Sequence, residues 1–104
     1  MAGCVLSPYA EQDLESIYTY TVKHHGLNQL DIYAGKIDRA IDEITQDPMR
    51  LHNKARDDLL EGCRSYRVEH YLFYRVRSGR VEIGRVLHEA MNFEAHISDE
   101  VFEP

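Results

Sequence analysis

The segment RVLHEAMN, Arg85 to Asn92, places an arginine three residues before a histidine and follows the histidine with a glutamate. Cutting an RNA backbone needs a group to activate the ribose 2′-hydroxyl, cations to neutralise the scissile phosphate and an acid for the leaving oxygen. His88 could serve as acid or base, with Arg64, Arg67 and Arg85 as phosphate clamps and Lys54 and Arg56 as backbone contacts from the preceding loop. Glu89 argues against this reading, because its charge repels a phosphate and favours a protonated imidazole. No second histidine or tyrosine follows His88 directly. No catalytic residue is therefore expected.

The same region supports a different function, in which arginines and aromatics on one sheet face receive an acidic, amphipathic segment of a partner. Arg64, Arg67, Arg75 and Arg77 supply the charge, and Tyr71 and Phe73 supply apolar anchors of the residue types that dominate interfaces. Arg85 reads as a partly buried structural residue bonded to carbonyls or to a helix carboxylate such as Asp13, and His88 as a strand-end histidine. Leu59 and Leu60 read as a cap on the core. His24, His25, His52, His70 and His96 show no metal-ligand spacing, so no metal and no cofactor are expected. Cys4 and Cys63 read as reduced thiols of a cytoplasmic protein.

Charge is unevenly spread along the 104 residues, whose net is −6. Residues 1–49 carry three basic and eight acidic side chains, residues 50–88 nine basic and five acidic, and residues 89–104 five acidic and none basic. The middle third suits an anionic partner, whereas the whole chain is too acidic for direct DNA binding. No apolar run approaches a membrane span, and no signal-peptide pattern is present.

The elements that must position these residues follow from periodicity. Ala2–Leu6 reads as a strand, and Ser7-Pro8 is an N-cap with proline at the first helical position. Ala10, Leu14, Ile17, Tyr18 and Thr21 then recur at helical spacing up to His25-Gly26. A second helix carries Leu30, Tyr33, Ala34, Ile37, Ile41 and Ile44 on one stripe and stops at Asp47-Pro48. The period changes to two after Gly62, giving strands over Cys63–Glu69, Tyr71–Arg77 and Val81–His88, with Ser78-Gly79 as the hairpin loop. That loop pairs Val76 with Val81, Arg75 with Glu82, Tyr74 with Ile83 and Leu72 with Arg85, and places Arg85 on one face with Ile83 and Leu87. The expected fold is a single α+β domain: an N-terminal strand and a two-helix hairpin packed on one face of a small antiparallel sheet. The other face is left for solvent or a partner. The acidic tail at about 97–104 reads as a frayed end, with docking of Val101 and Phe102 as the alternative.

In order and spacing, three pieces of this chain resemble the ParE toxins of the RelE/ParE superfamily. They are LSPYAEQDLESIYTY, the G-x-R-S-Y form at Gly62–Tyr66, and the YRV…I-x-RVLH ending, and the resemblance as a whole runs from about Leu6 to His96. The resemblance implies the helix-on-sheet fold, neutralisation by a ParD-like antitoxin in a heterotetramer or larger complex, and DNA gyrase as target. It also makes a RelE-like ribosome-dependent messenger RNA endonuclease the alternative, and a non-toxic, antitoxin-binding member a second one. The chain departs from the family after RVLH, where Glu89-Ala90-Met91-Asn92 replaces a basic continuation.

Overall fold

The computed structural model describes residues 3–50 and 53–102. Ala2, where the first strand was expected to begin, and His52 lie outside them.

The helical part is a single element, α1 (Pro8–Gln46), and not two helices joined by a connection. Ser7 caps it as its sequence dictates: its Oγ accepts the Ala10 N–H at 3.0 Å, and Pro8 follows in the first turn. Helical pairing is interrupted at one residue, Gly26, whose φ of 85° and ψ of 174° lie in a region open essentially to glycine. A straight helix of 39 residues would be about 58 Å long, but the longest extent of the molecule is 37 Å. The element therefore bends sharply at Gly26. The correction concerns the joint, which takes one residue where a short loop was expected.

The sheet has five strands in the order β1 (Cys4–Leu6), β5 (Arg80–Leu87), β4 (Tyr71–Arg77), β3 (Arg64–Arg67), β2 (Lys54–Ala55). It is mixed, which corrects the expected antiparallel sheet: β1 runs parallel to β5, with Cys4 beside Val81 and Leu6 beside Ile83. Parallel strands cannot be joined by a tight turn and need a crossover; α1 carries the chain across one face of the sheet after β1, and β5 later returns alongside β1 in the same sheet. The pair β2 was not expected; Lys54 and Ala55 add an edge to β3.

The β4–β5 register matches the expectation from the tight turn as far as Tyr74 opposite Ile83, and then slips. Phe73 faces Arg85 and Leu72 faces Val86, leaving Gly84 as the extra residue of a β-bulge. The expected Leu72–Arg85 pair is thereby corrected. The slip changes which side chains share a face. Val81, Ile83 and Val86 join Leu72 and Tyr74 in a core under α1, with Tyr33, Ile37, Ala40, Ile41 and Ile44. Leu87 joins Phe73 on the opposite face, and Arg85, paired with Phe73, points to that side too. Arg85 and Ile83 do not share a face.

That opposite face is not left to solvent. The chain after β5 folds back over it in two 3-10 turns, Phe93–Ala95 and Asp99–Phe102, burying Ile97, Val101 and Phe102 against Cys63, Phe73 and Leu87. Leu59, Leu60, Tyr71 and Phe93 pack around this second core, so Leu59 and Leu60 cap it as expected. Gly84 is what permits the closure: a Cβ there would lie 2.7 Å from the Phe102 ring. The tail is docked as far as Phe102 and is not frayed over these residues.

Candidate functional site

The residues expected to meet a partner are dispersed by the second core. Phe73 is fully buried beneath the tail and presents no anchor. Arg75 is inside the same layer. Its Nε donates to Glu82 at 3.0 Å and its Nη1 to Asp99 at 3.2 Å, while the guanidinium lies 4.8 Å from the centre of the Phe102 ring. Arg64 pairs with Tyr74 across the sheet and so faces α1, opposite to Phe73. It donates to the Pro48 carbonyl at 3.1 Å and to the Asn53 carbonyl at 2.5 Å. Tyr74 donates to the same Pro48 carbonyl at 2.6 Å and accepts from Asn53. Arg64 thus holds the chain where α1 ends. Arg67 and Arg77 remain exposed; Arg67 contacts Glu89 at 3.0 Å and Arg77 reaches Glu82 at 3.4 Å. Tyr71 is partly buried, stacked near Phe73 and Phe93.

The nuclease candidates fare no better as a group. Both Nε and Nη2 of Arg85 donate to the Asp13 carboxylate at 2.8 Å, and the same carboxylate accepts the Val86 N–H at 3.0 Å. This pair, the one expected from the sequence, attaches the first turns of α1 to the edge of β5 beyond β1. A two-point ion pair with a further backbone donor is strongly held, so the guanidinium is not free for a phosphate. Arg56 is likewise chelated by Asp58 at 3.1 and 3.0 Å and lies over the Phe93 ring.

His88 sits just past the end of β5, and its neighbour is His70, just before β4. Because Tyr71 pairs with Leu87, the two histidines are the next positions on adjacent strands, and their rings lie 5.4 Å apart edge to face. From α1, Tyr33 brings its hydroxyl within 2.5 Å of His70 Nδ1. These residues form the floor of an open cleft of about 640 Å³ between both limbs of α1 and this end of the sheet. Ile17, Val86, Leu87 and Met91 line its apolar walls, and among the described residues no lysine or arginine lines it. Burial, and then the adjacent His88, hold His70 below the ordinary histidine range, while Glu69 acts in the opposite direction. Burial also keeps the Tyr33 phenol firmly protonated.

Sequence reading missed His70 and Tyr33, because neither carries a motif. The register was not a sufficient signal, since the tight turn alone sets His70 opposite Leu87 and only the bulge at Gly84 brings it opposite His88. Among the described residues no group of three or more histidine, cysteine or acidic side chains could hold a metal ion, and no helix is long and apolar enough to cross a membrane.

Comparison with known proteins adds the family. Residues 4–93 match the model of the ParE toxin of type II toxin–antitoxin systems, parDE. Toxin ParE1 of Caulobacter vibrioides is 38% identical over 93 residues, covering 88% of this chain and 94% of the relative. Toxin ParE1 of Mycobacterium tuberculosis is 34% identical over 95 residues, covering 89% and 95%. A structure of the chromosomal ParDE toxin–antitoxin system from P. aeruginosa shares the fold with a TM-score of 0.68 at 20% identity, covering 85% of this chain and 96% of that one. With a β-bulged sheet under a kinked helix and a family match running from the first strand to the start of the first 3-10 turn, the chain belongs to the ParE toxin family of type II toxin–antitoxin systems.

Proposed function

We propose that this protein is a cytoplasmic toxin that inhibits DNA gyrase by protein–protein contact, without chemistry of its own, and is neutralised by a ParD-like antitoxin. The observation that carries this reading is the fate of the arginines. Arg64 is spent on two carbonyls, Arg85 on Asp13 and Arg67 on Glu89. The cleft that holds His70 and His88 has no lysine or arginine in its lining. A phosphoryl transition state carries charge that preorganised cations must meet, and acid–base groups alone supply only part of the barrier reduction. Of the residues expected to contact antitoxin, Arg67 and Arg77 are exposed, Arg64, Tyr71 and Arg75 are partly buried and Phe73 is buried, and Arg67 and Tyr71 lie at the same end of the sheet as the two histidines.

The histidine pair is the one feature that favours the endonuclease reading, since two neighbouring imidazoles can act as acid and base. A paired assay separates the two. Purified toxin, freed of antitoxin, is scored for loss of gyrase supercoiling and for cleavage of messenger RNA on translating ribosomes. Inhibited supercoiling with intact RNA is expected, and His88→Ala should stay within a few-fold of wild type. Cut RNA with normal supercoiling would overturn the proposal, and no effect in either arm would assign the chain to the non-toxic, antitoxin-binding class.

A further inference from the structure

The bend of α1 carries side chains that the fold does not use. Asp13 and Tyr33 are the points on either side of Gly26 where α1 is hydrogen-bonded to the sheet. Among the described residues no side chain from Leu14 to Ile32 makes such a bond; the Thr21 hydroxyl donates to the Ile17 carbonyl within the helix. Leu14, Ile17 and Tyr18 pack partly against the core, but residues 23–28 are exposed throughout. Gly26 turns the chain there in a backbone conformation open essentially to glycine, and no atom lies within 4 Å of where its Cβ would be. The tip therefore projects into open space.

Three large apolar side chains stand in solvent around this bend. Leu27, the first residue after it, is 69% exposed, Tyr20 60% and Ile32 52%. Scattered apolar residues on a surface need no explanation, but these three gather apolar area at one projecting end. Tyr20 is also preorganised, because its ring stacks on His24 one turn away with centroids 4.2 Å apart, and little freedom is lost on contact. The charge of the tip is unlike that of the rest. Residues 16–30 are the longest acid-free run in a chain of net charge −6, and Lys23 is their one cation.

These properties select among partners. A second copy docking tip to tip sets Lys23 against its own image, and like charges at a two-fold contact are unfavourable. A nucleic acid calls for several phosphate-binding cations, and this surface has one beside apolar groups that a phosphate does not match. An apolar pocket with an acidic rim on another protein matches both features: Leu27 and the Tyr20 ring fill the pocket, and Lys23 meets the rim. We propose that the tip around Gly26, through Leu27, Tyr20 and Lys23, is the surface by which this chain docks on its target protein. This rests on the reading that the chain inhibits DNA gyrase by protein–protein contact, and it moves the expected target contact from the arginine-bearing strands to the helical tip. Tyr20 also borders the cleft, whereas Leu27 and Lys23 do not line it, so these two residues separate the tip from the cleft.

The test is inhibition of supercoiling by purified DNA gyrase, using the full chain freed of antitoxin. Leu27→Asp should weaken inhibition about tenfold. It should not lower the thermal midpoint, because the position is exposed and an acid suits the first turn of a helical limb. Lys23→Glu should weaken inhibition about fivefold at low salt and by less as salt rises. Met49→Asp, at a 59% exposed position beyond the far end of α1, should inhibit like wild type. Wild-type potency in a folded Leu27→Asp would overturn the docking surface and leave the gyrase reading in place. Equal loss in Met49→Asp would overturn it as well, since added charge and not position would then be the cause. A dimer of the free chain that Leu27→Asp dissociates in analytical ultracentrifugation would overturn it by assigning the tip to a second copy. A wild type that leaves supercoiling untouched would overturn the gyrase reading itself, and the target docking with it.

Discussion

The two faces of the sheet are closed by opposite means. On one, a long kinked helix lays a continuous stripe, Tyr33, Ile37, Ile41 and Ile44, over Leu72, Tyr74, Ile83 and Val86. On the other, two short 3-10 turns and a loop assemble a smaller core from Phe93, Ile97, Val101, Phe102, Leu59 and Leu60. The helical side is secured by many hydrogen bonds internal to one element. The tail side depends on scattered apolar contacts and on ion pairs such as Arg75–Asp99, whose acidic partner is largely exposed. Regions with short elements and few internal hydrogen bonds open at lower free energy than the global fold. The tail side should therefore open first, and each face carries one buried cysteine to report it, Cys4 under the helix and Cys63 under the tail.

The largest effect is expected on the helical side. Ile37→Ala removes a fully buried side chain at the centre of the main core and should cost about 3 kcal/mol, read as a drop in the denaturant midpoint with an unchanged slope. A loss below about 1 kcal/mol would mean that this face is not the principal core.

Phe102→Ala should cost somewhat less, about 2 kcal/mol, because the cavity opens at the edge of the molecule. Its signature is local. Burial pushes the Cys63 thiol up to about 12, so it is unreactive while the tail is docked. Alkylation of Cys63 should accelerate many-fold in Phe102→Ala while Cys4 stays protected. Equal acceleration of both would show that the two faces unfold together.

Gly84→Ala forces a Cβ to within 2.7 Å of the Phe102 ring and should cost about 1–2 kcal/mol, with the same preference for Cys63 labelling. If Gly84→Ala is neutral, the ring shifts freely and the tail is looser than its packing indicates.

A smaller effect belongs to pH. His70 on the helical side has a folded pKa below its unfolded value. Its contribution to stability is present above the ordinary histidine pKa and is lost as pH falls through that value toward the folded one. Stability measured from pH 7.5 down to 5 should decline, and His70→Gln should flatten that part of the curve. The smallest effect is at the surface: Arg77→Glu breaks an exposed contact with Glu82 and should change stability by under about 0.5 kcal/mol, checked by thermal unfolding.

The local signals were legible in the chain. Ser7-Pro8 starts the helix, Gly26 interrupts it, Ser78-Gly79 closes the hairpin, and the register near that turn follows from the turn itself. Each depends on the conformational limits of one or two residues, which no tertiary contact has to supply. Asp13 was also among the possible partners of Arg85, since a partly buried charge needs an opposite charge or carbonyls around it; the structure supplies it from the edge of β5, where the first turns of α1 pass.

Only the tertiary structure decided the rest. Gly84 reads as an ordinary strand residue until its partner strand and the Phe102 ring are both in place, and the bulge it creates decides which face each following side chain takes. The tail has three spaced apolar residues and no period, so its docking depends on a surface built by residues 56 to 87. For the same reason the sheet face that composition marked as open is closed, and the cleft around His70, His88 and Tyr33 exists only where three distant segments meet. Backbone preference is a property of neighbours in sequence. A site that sets Tyr33 against a histidine 37 residues away is a property of packing, and sequence periodicity does not encode it.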